Sequence, residues 1–292
     1  MSKNIEIQTG GKQGKLAIKQ FSFDMFDPNP SIVMIAKRRS GKSWIVRALM
    51  NYFRNIPVGC IICPSDNVNP FYSKFFPPSY IFYQYKTEIV EAIFARQEII
   101  KQKAEQKLKM GKKVDTRCFI IMDDCLASKG SWIKDQQLRN IFFNGRHSDI
   151  MYVLTMQFPL GITPELRANF DYIFLLAEDF VSNKKRIYDH YAGMFPNFES
   201  FRQVFDQLTS DFGAMVIVNS GTRASFLEKV FWYRAPDLST LQIEFGCKQF
   251  RDYHANNYNP SWMKSSKVVD ADEYMRKKKE NKGKIIIDKQ KK

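Results

Sequence analysis

Ser31-Ile32-Val33-Met34-Ile35 runs directly into Ala36-Lys37-Arg38-Arg39-Ser40-Gly41-Lys42-Ser43, and Trp44-Ile45-Val46-Arg47-Ala48-Leu49-Met50 follows. An apolar run, a short basic loop and a second mostly apolar run read as strand, loop and helix. That is the context a phosphate-binding P-loop requires. Such a loop wraps its backbone N–H groups around phosphate oxygens, and the helix N-terminus adds partial positive charge. Lys37, Arg38, Arg39, Ser40 and Gly41 would form the wrap. Lys42 would reach the β- and γ-phosphates of ATP, and the Ser43 hydroxyl would coordinate Mg²⁺. The tripeptide Gly-Lys-Ser recurs by chance in chains of this length, so the flanking strand and helix carry the weight. Ala36 stands where the pattern has its first glycine, and alanine is strained there if the position needs φ > 0.

A second element agrees with the first. Cys118-Phe119-Ile120-Ile121-Met122 is a continuous apolar run, as expected of a strand buried on both faces of a parallel sheet, and it ends in Asp123-Asp124. A carboxylate at the tip of a buried strand is the Walker B arrangement. Asp123 would share the Mg²⁺ with Ser43, since Mg²⁺ takes one or two protein ligands besides phosphate and water. Asp124 suits a residue that orients or deprotonates the attacking water.

At 292 residues the chain can form one large α/β domain with appendages, or two small domains. Its 44% hydrophobic content, with 25 Phe and 13 Tyr, supplies ample core material. No apolar run approaches the roughly 18 residues that span a bilayer, and the polar N-terminus lacks the apolar core of a secretion signal. A soluble protein in a reducing compartment is expected, and five cysteines, an odd number, fit free thiols there. Cys60 and Cys63 have metal-ligand spacing, but no second pair accompanies them and Val58 to Cys63 reads as a buried strand. A net charge of +15 points to a polyanionic partner, nucleic acid ahead of an acidic membrane. Residues 264–292 carry 11 Lys/Arg against 5 Asp/Glu and include Arg276-Lys277-Lys278-Lys279. That segment could contact nucleic acid, act as a nuclear address or only add solubilising charge.

The pattern divides the chain into a lead-in with short strands (1–28), a P-loop ATPase domain (29–250) and a basic, partly disordered tail (251–292). Within the domain, helices are expected at Lys42 to Arg54, Glu88 to Met110, Lys134 to Phe143, Pro164 to Ala168, Ser182 to Tyr191 and Asn197 to Leu208. Strands are expected at Val58 to Cys63, Tyr80 to Tyr85, Ile150 to Met156, Tyr172 to Leu176, Ala214 to Val218 and Ser225 to Trp232. Alternation of this kind implies a mostly parallel sheet with helices on both faces. A strand-helix pair intervenes between the two Walker strands, which argues for an additional strand between them in a RecA-like P-loop core. Asp211-Phe212-Gly213 resembles a kinase magnesium motif, but no matching lysine strand or catalytic loop precedes it, so it reads as coincidence.

The strand Ile150 to Met156 ends in Gln157, with Asn144-Gly145-Arg146-His147 upstream and Thr163-Pro164-Glu165-Leu166-Arg167-Ala168-Asn169 downstream. With Ala36 to Ser43 and Asp123-Asp124, this ordered set resembles the FtsK–HerA superfamily of DNA-pumping ATPases. More narrowly it resembles the poxvirus-type genome-packaging ATPases of nucleocytoplasmic large DNA viruses, over about residues 30–235. The resemblance implies ATP hydrolysis with Mg²⁺, coupled to translocation of double-stranded DNA into a preformed capsid. It implies a homo-oligomeric ring, a hexamer, with DNA through its middle and capsid or portal-vertex proteins as docking partners. The host cytoplasm, at the virus factory, and the virion would be its locations. Gln157 would sense the γ-phosphate.

Arginine placed on the transition-state charge of phosphoryl transfer accelerates it by about 10³–10⁵. Arg146, eleven residues before Gln157 where related translocases carry an arginine, is the first candidate to act on a neighbouring subunit. Arg167 is the second and Arg139 the third; each could instead serve a salt bridge. Candidate DNA contacts are Ala127 to Trp132, Lys184-Lys185-Arg186 and the tail, with solvated surface as their ordinary alternative. A cellular or plasmid-borne DNA pump or helicase is a rival function. A nucleotide-gated scaffold or binding module without turnover is another, with Ala36 in its favour and the acids and arginines against it.

Overall fold

The computed structural model describes residues 4–7, 16–125, 135–222 and 225–260. In chain order the strands and helices are β1 (Asn4–Ile7), β2 (Leu16–Lys19), β3 (Ser31–Ile35), α1 (Lys42–Tyr52), β4 (Val58–Ile62), β5 (Ile81–Phe82), α2 (Thr87–Leu108), β6 (Cys118–Asp123), α3 (Gln136–Asn144), β7 (Ile150–Met156), α4 (Pro164–Arg167), β8 (Tyr172–Leu176), α5 (Val181–Tyr191), α6 (Phe198–Leu208), β9 (Ala214–Val218), α7 (Phe226–Lys229), β10 (Val230–Tyr233) and α8 (Lys248–Asn257).

Among the described residues, eight strands form one sheet in the order β10-β9-β8-β3-β7-β6-β4-β5. From β8 to β5 every pairing is parallel, while β9 runs antiparallel to both β8 and β10. Parallel strands need crossovers, and those helices cover both faces. Alternate residues therefore enter different layers. Val33, Ile120 and Leu154 pack with Leu138 of α3, Ile187 of α5 and Phe205 of α6. Ile32, Ile121 and Val153 pack with Ile45 and Leu49 of α1 and Phe250 of α8. The Walker strands β3 and β6 are separated by β7, which comes later in sequence than both. The strands that intervene in sequence, β4 and β5, lie on the outer side of β6.

Local chemistry sets the element ends. Gly111 (φ 73) closes α2, with its own N–H on Leu108 O and the Lys112 N–H on Lys107 O, the paired bonds of a Schellman stop. Gln97, buried on α2, donates to Thr116 O (3.0 Å) and Ser148 O (2.6 Å), fastening the helix to two loops. Three sequence expectations need correction. Ser225 to Trp232 is not one strand: Ser225 and Glu228 form a capping box that starts α7, and only Val230–Tyr233 continues the sheet. Tyr80 to Tyr85 contributes only two strand residues, which pair with Ile61 and Ile62 at the end of β4. The boundary at 250 falls inside α8, whose Phe250 is buried and stacks on Tyr80 at 3.8 Å. Residues 261–292 lie outside the described residues.

The lead-in also joins the core. Gln20 bridges Trp232, the Phe21 N–H donates to Trp232 O at 2.8 Å, and Ile18 and Phe21 are buried. The Phe21 ring meets Phe26, Tyr172, Phe174 and Phe231 at centroid separations of 5.3–5.9 Å. Truncating a ring so enclosed loses its transfer energy and leaves a cavity. Phe21→Ala is therefore expected to lower unfolding stability by about 3–5 kcal/mol, measured by urea denaturation. A change below about 1 kcal/mol would show that the lead-in contributes nothing to the domain.

Candidate nucleotide site

The carboxyl edge of a parallel sheet is where open α/β folds gather binding groups, and β3, β6 and β7 all end there. At the end of β3 the Ala36 N–H donates to Met156 O at 3.0 Å, and the chain turns through residues 37–41 into α1. Arg39 (φ 63) and Gly41 (φ 99) take left-handed backbone; Ala36 does not. Its methyl group is buried against the α1 side of the sheet. The position of the missing glycine thus demands no conformation that alanine resists. Ser40 closes the loop by donating to Lys37 O at 2.8 Å.

Sheet register supplies the other half. Asp123 lies opposite Thr155, whose hydroxyl donates to Asp123 Oδ1. The Asp124 N–H reaches Thr155 O and Oγ1, each at 3.3 Å, and Asp124 itself takes φ 51, which aspartate tolerates better than most residues. Lys42 then meets both acids: its Nζ lies 2.9 Å from Asp123 Oδ1 and pairs with Asp124 Oδ2. Gln157 Nε2 donates to that same Asp124 oxygen at 2.9 Å. Burial works against the charge on Lys42, but Asp123 and Asp124 outweigh it and hold the ammonium above the usual lysine pKa.

These groups line a cleft of ≈ 810 Å³, shared by the loop from Ala36 to Trp44 and by Tyr72 and Phe212. That volume suits a nucleotide-sized ligand. Ser43 and Asp123 line the same cleft as Lys42, so one hydroxyl and one carboxylate face the position of bound phosphates. This donor set fits Mg²⁺ held jointly by protein, phosphate and water. Beneath it, buried Asp66 accepts the N–H groups of Phe71 (2.6 Å), Tyr72 (2.7 Å) and Ser73 (3.3 Å), fixing the loop that carries Tyr72. Burial, and then the charge of Asp123, push the Tyr72 hydroxyl well above its ordinary pKa, so it stays protonated. Burial and Asp123 likewise raise the Cys63 thiol to about 12.

The structure brings Lys42, Ser43, Asp123, Asp124 and Gln157 together. It does not bring the candidate arginines to them within one chain. Arg146 opens a single turn just before β7 and pairs with Asp171, at the amino edge of the sheet. Seven strand residues, roughly 20 Å, separate it from Gln157. Arg167 is buried, donating to Ile162 O (3.3 Å), lying 3.4 Å from His190 Nδ1 and packing over the Tyr191 ring. Arg139 pairs with Glu165 at 2.9 Å. Cys60 and Cys63 enter opposite layers of the fold, so they cannot converge on one metal ion. Lys184 pairs with Asp206, Lys185 with Asp189, and Arg186 donates to Asn183. Residues 127–132, the other proposed DNA-contacting loop, lie outside the described residues.

Thr155 and Tyr72 were not identifiable as site residues beforehand. Thr155 carries a faint signal, the one aliphatic hydroxyl in the otherwise mostly apolar strand before Gln157. Tyr72 carries none, because its place depends on a loop fold anchored by Asp66.

No protein-family model matches the chain. It is 46% identical over 248 residues to the uncharacterized protein L437 of Acanthamoeba polyphaga mimivirus, spanning 85% of this chain and 86% of that one. It is 32% identical over 259 residues to the uncharacterized protein 088R of Invertebrate iridescent virus 3, spanning 84% and 95%. Among solved structures, the genome packaging NTPase B204 of Sulfolobus turreted icosahedral virus 2, in complex with AMPPCP, superposes with a TM-score of 0.50 at 13% identity, over 72% of this chain and all of B204. EssC ATPases 2 and 3 of Geobacillus thermodenitrificans also reach 0.50 at 13% identity, over 89% of this chain and 50% of EssC. The chain belongs to the family of large-DNA-virus proteins that includes L437 and 088R. Its fold is the P-loop ATPase fold that its resemblance to the FtsK–HerA superfamily implied.

The different positions of Lys42 and Asp124 separate their expected effects. Lys42→Ala should abolish binding of ATP and of a non-hydrolysable analogue in titration calorimetry, while Asp124→Asn should retain binding and lose turnover. Equal ATP affinity in wild type and Lys42→Ala would sink the assignment of the loop.

Proposed function

We propose that this protein is an ATP-driven translocase of double-stranded DNA that packages a viral genome into a preformed capsid. The cluster of Lys42, Asp123, Asp124 and Gln157 at the mouth of one cleft carries the reading. A cation for phosphate, a carboxylate for a divalent ion, a second carboxylate and an amide cover the roles that phosphoryl transfer needs. Lys42 would exchange its carboxylate partners for β- and γ-phosphate oxygens. Ser43 and Asp123 would hold Mg²⁺, which neutralises phosphate charge when bound. Asp124 would accept the proton of the attacking water, and Gln157, already bonded to Asp124, would report whether the terminal phosphate is present. Family membership among mimivirus and iridescent-virus proteins, and the fold shared with a viral genome packaging NTPase, support packaging as the purpose. The net +15 charge suits a DNA partner held through phosphates, without sequence preference and with strong dependence on salt. Purified protein should hydrolyse ATP faster with linear double-stranded DNA than without it, in a phosphate-release assay. Hydrolysis that no DNA of any length alters would remove the translocase reading and leave a plain ATPase.

The proposed arrangement is a ring with each active site at a subunit boundary. Arg146 lies at the sheet edge opposite its own P-loop, and half of its side chain is exposed, so a donated role would bring it to a neighbour's cleft. Buried Arg167 is less suited to that role. Arg146→Ala should bind ATP nearly as wild type does and turn over roughly 10³–10⁵-fold slower. Mixing it with Lys42→Ala protein, which has an intact arginine, should restore part of the activity. If mixed rings form by native mass spectrometry and no ratio restores turnover, Arg146 serves only its pair with Asp171.

A further inference from the structure

Asp211-Phe212-Gly213 connects α6 to β9 at the carboxyl edge of the sheet, and its backbone is unusual. Asp211 (φ 49) and Phe212 (φ 58) are consecutive left-handed residues, and a bulky side chain in that region is a true outlier. The surroundings enforce it. A Cβ at Gly213 would stand 2.3 Å from Leu208 O, so the residue after Phe212 must be glycine, and Arg234 holds the Asp211 carboxylate at 3.0 Å. Strain held in place by neighbours in this way gathers at ligand clamps and active sites. Its product here is a phenylalanine ring that is 63% exposed, contributes little to the core and lines the nucleotide cleft. A Cβ placed on Gly41 would lie 3.3 Å from Phe212 Cβ, so the ring's stem sits directly against the phosphate loop.

Strand order gives the direction. Asp123 ends β6, and Asp124 and Gln157 follow β6 and β7, on one side of β3, whereas Phe212 precedes β9 on the other side. A nucleotide whose terminal phosphate lies at the acids extends its base away from them, across Gly41 toward Phe212. An uncharged π-face there cannot grip phosphate but can stack on a base. Half-exposed Trp44 lines the same cleft and adds a second aromatic surface.

We propose that Phe212 is the stacking platform for the purine base of the bound nucleotide, held at the cleft mouth by the left-handed Asp211-Phe212 turn. The inference rests on the phosphate-loop reading above. The test compares ATP with inorganic tripolyphosphate, which has the phosphates and no base, by calorimetry on full-length protein with Mg²⁺. Phe212→Ala should raise the Kd for ATP about 5- to 100-fold and change that for tripolyphosphate by less than about twofold. Phe212→Tyr should keep ATP affinity, and Phe212→Gly, which relieves the left-handed strain, should lose it as Phe212→Ala does. Equal losses for both ligands would make the ring a mere support of the loop and overturn the proposal. So would unchanged ATP affinity, including the case in which Phe212→Ala alters only the oligomeric state by sedimentation. Wild-type protein that binds tripolyphosphate no better than Lys42→Ala would instead overturn the phosphate-loop reading, and this one with it.

Discussion

One ammonium group between two carboxylates organises the carboxyl edge of this protein. Lys42 comes from the first turn of α1, Asp123 from the last residue of β6 and Asp124 from the turn after it, and all three side chains are largely withdrawn from water. Removing one partner from a buried ion pair costs about 3–5 kcal/mol, because the charge left behind has neither water nor counter-ion. The cluster therefore fixes the P-loop helix against β6 across the intervening β7. It also constrains any ligand. A polyphosphate that draws Lys42 away leaves two acids facing phosphate oxygens, so charge balances only if a cation arrives with it. On the proposed reading, the cluster thus favours a metal-bound polyphosphate over a bare one.

The sheet determines that this meeting occurs. Pairing Asp123 with Thr155 puts the hydroxyl beside the carboxylate, and pairing Ile35 with Met156 sets the loop start level with the end of β7. A one-residue slip would carry every side chain of a strand to the opposite layer. Such a slip is prohibited here because both layers are packed, α3, α5 and α6 on one face and α1 and α8 on the other. Precision at the edge is thus inherited from apolar packing well away from it.

Much of this was legible in the sequence. Apolar runs that lead into the loop of Gly-Lys-Ser, into Asp-Asp and into Gln mark three strands whose tips must share one edge if the sheet is parallel. Those runs gave the core strands their places to within a residue or so. What stayed hidden depends on non-local contacts. Which strand separates the Walker strands follows from sheet order, and the intervening segment in sequence was a misleading guide to its identity. Strand Ser225 to Trp232 failed because β-branched and aromatic content said less than a local capping box. Helix α8 is mostly polar and is held by Phe250 alone among its buried residues, so periodicity offered little. Ala36 shows the reverse case. Its departure from the motif looked costly in one dimension and proves harmless once its backbone is known.

The two edges of the sheet are chemically unlike, and this bears on assembly. The carboxyl edge carries the nucleotide cleft with exposed Phe158, Phe180 and Phe212 around the turns that follow β7 and β8 and precede β9. The amino edge carries Arg146 on Asp171, with Asp171 also accepting the Ser31 N–H at 2.9 Å. An isologous dimer would join like edge to like or set the two edges together reciprocally, and either way it stops at two copies. A heterologous contact sets one edge against the other without that reciprocity, and such contacts repeat until they close as a ring or continue as a filament. On the proposed reading, the need for an arginine at the γ-phosphate and the distance of Arg146 from its own cleft are therefore one constraint. On that reading, a chain that cannot complete its site alone has a reason to associate, and a closed ring is the association that can surround a DNA duplex while it is moved.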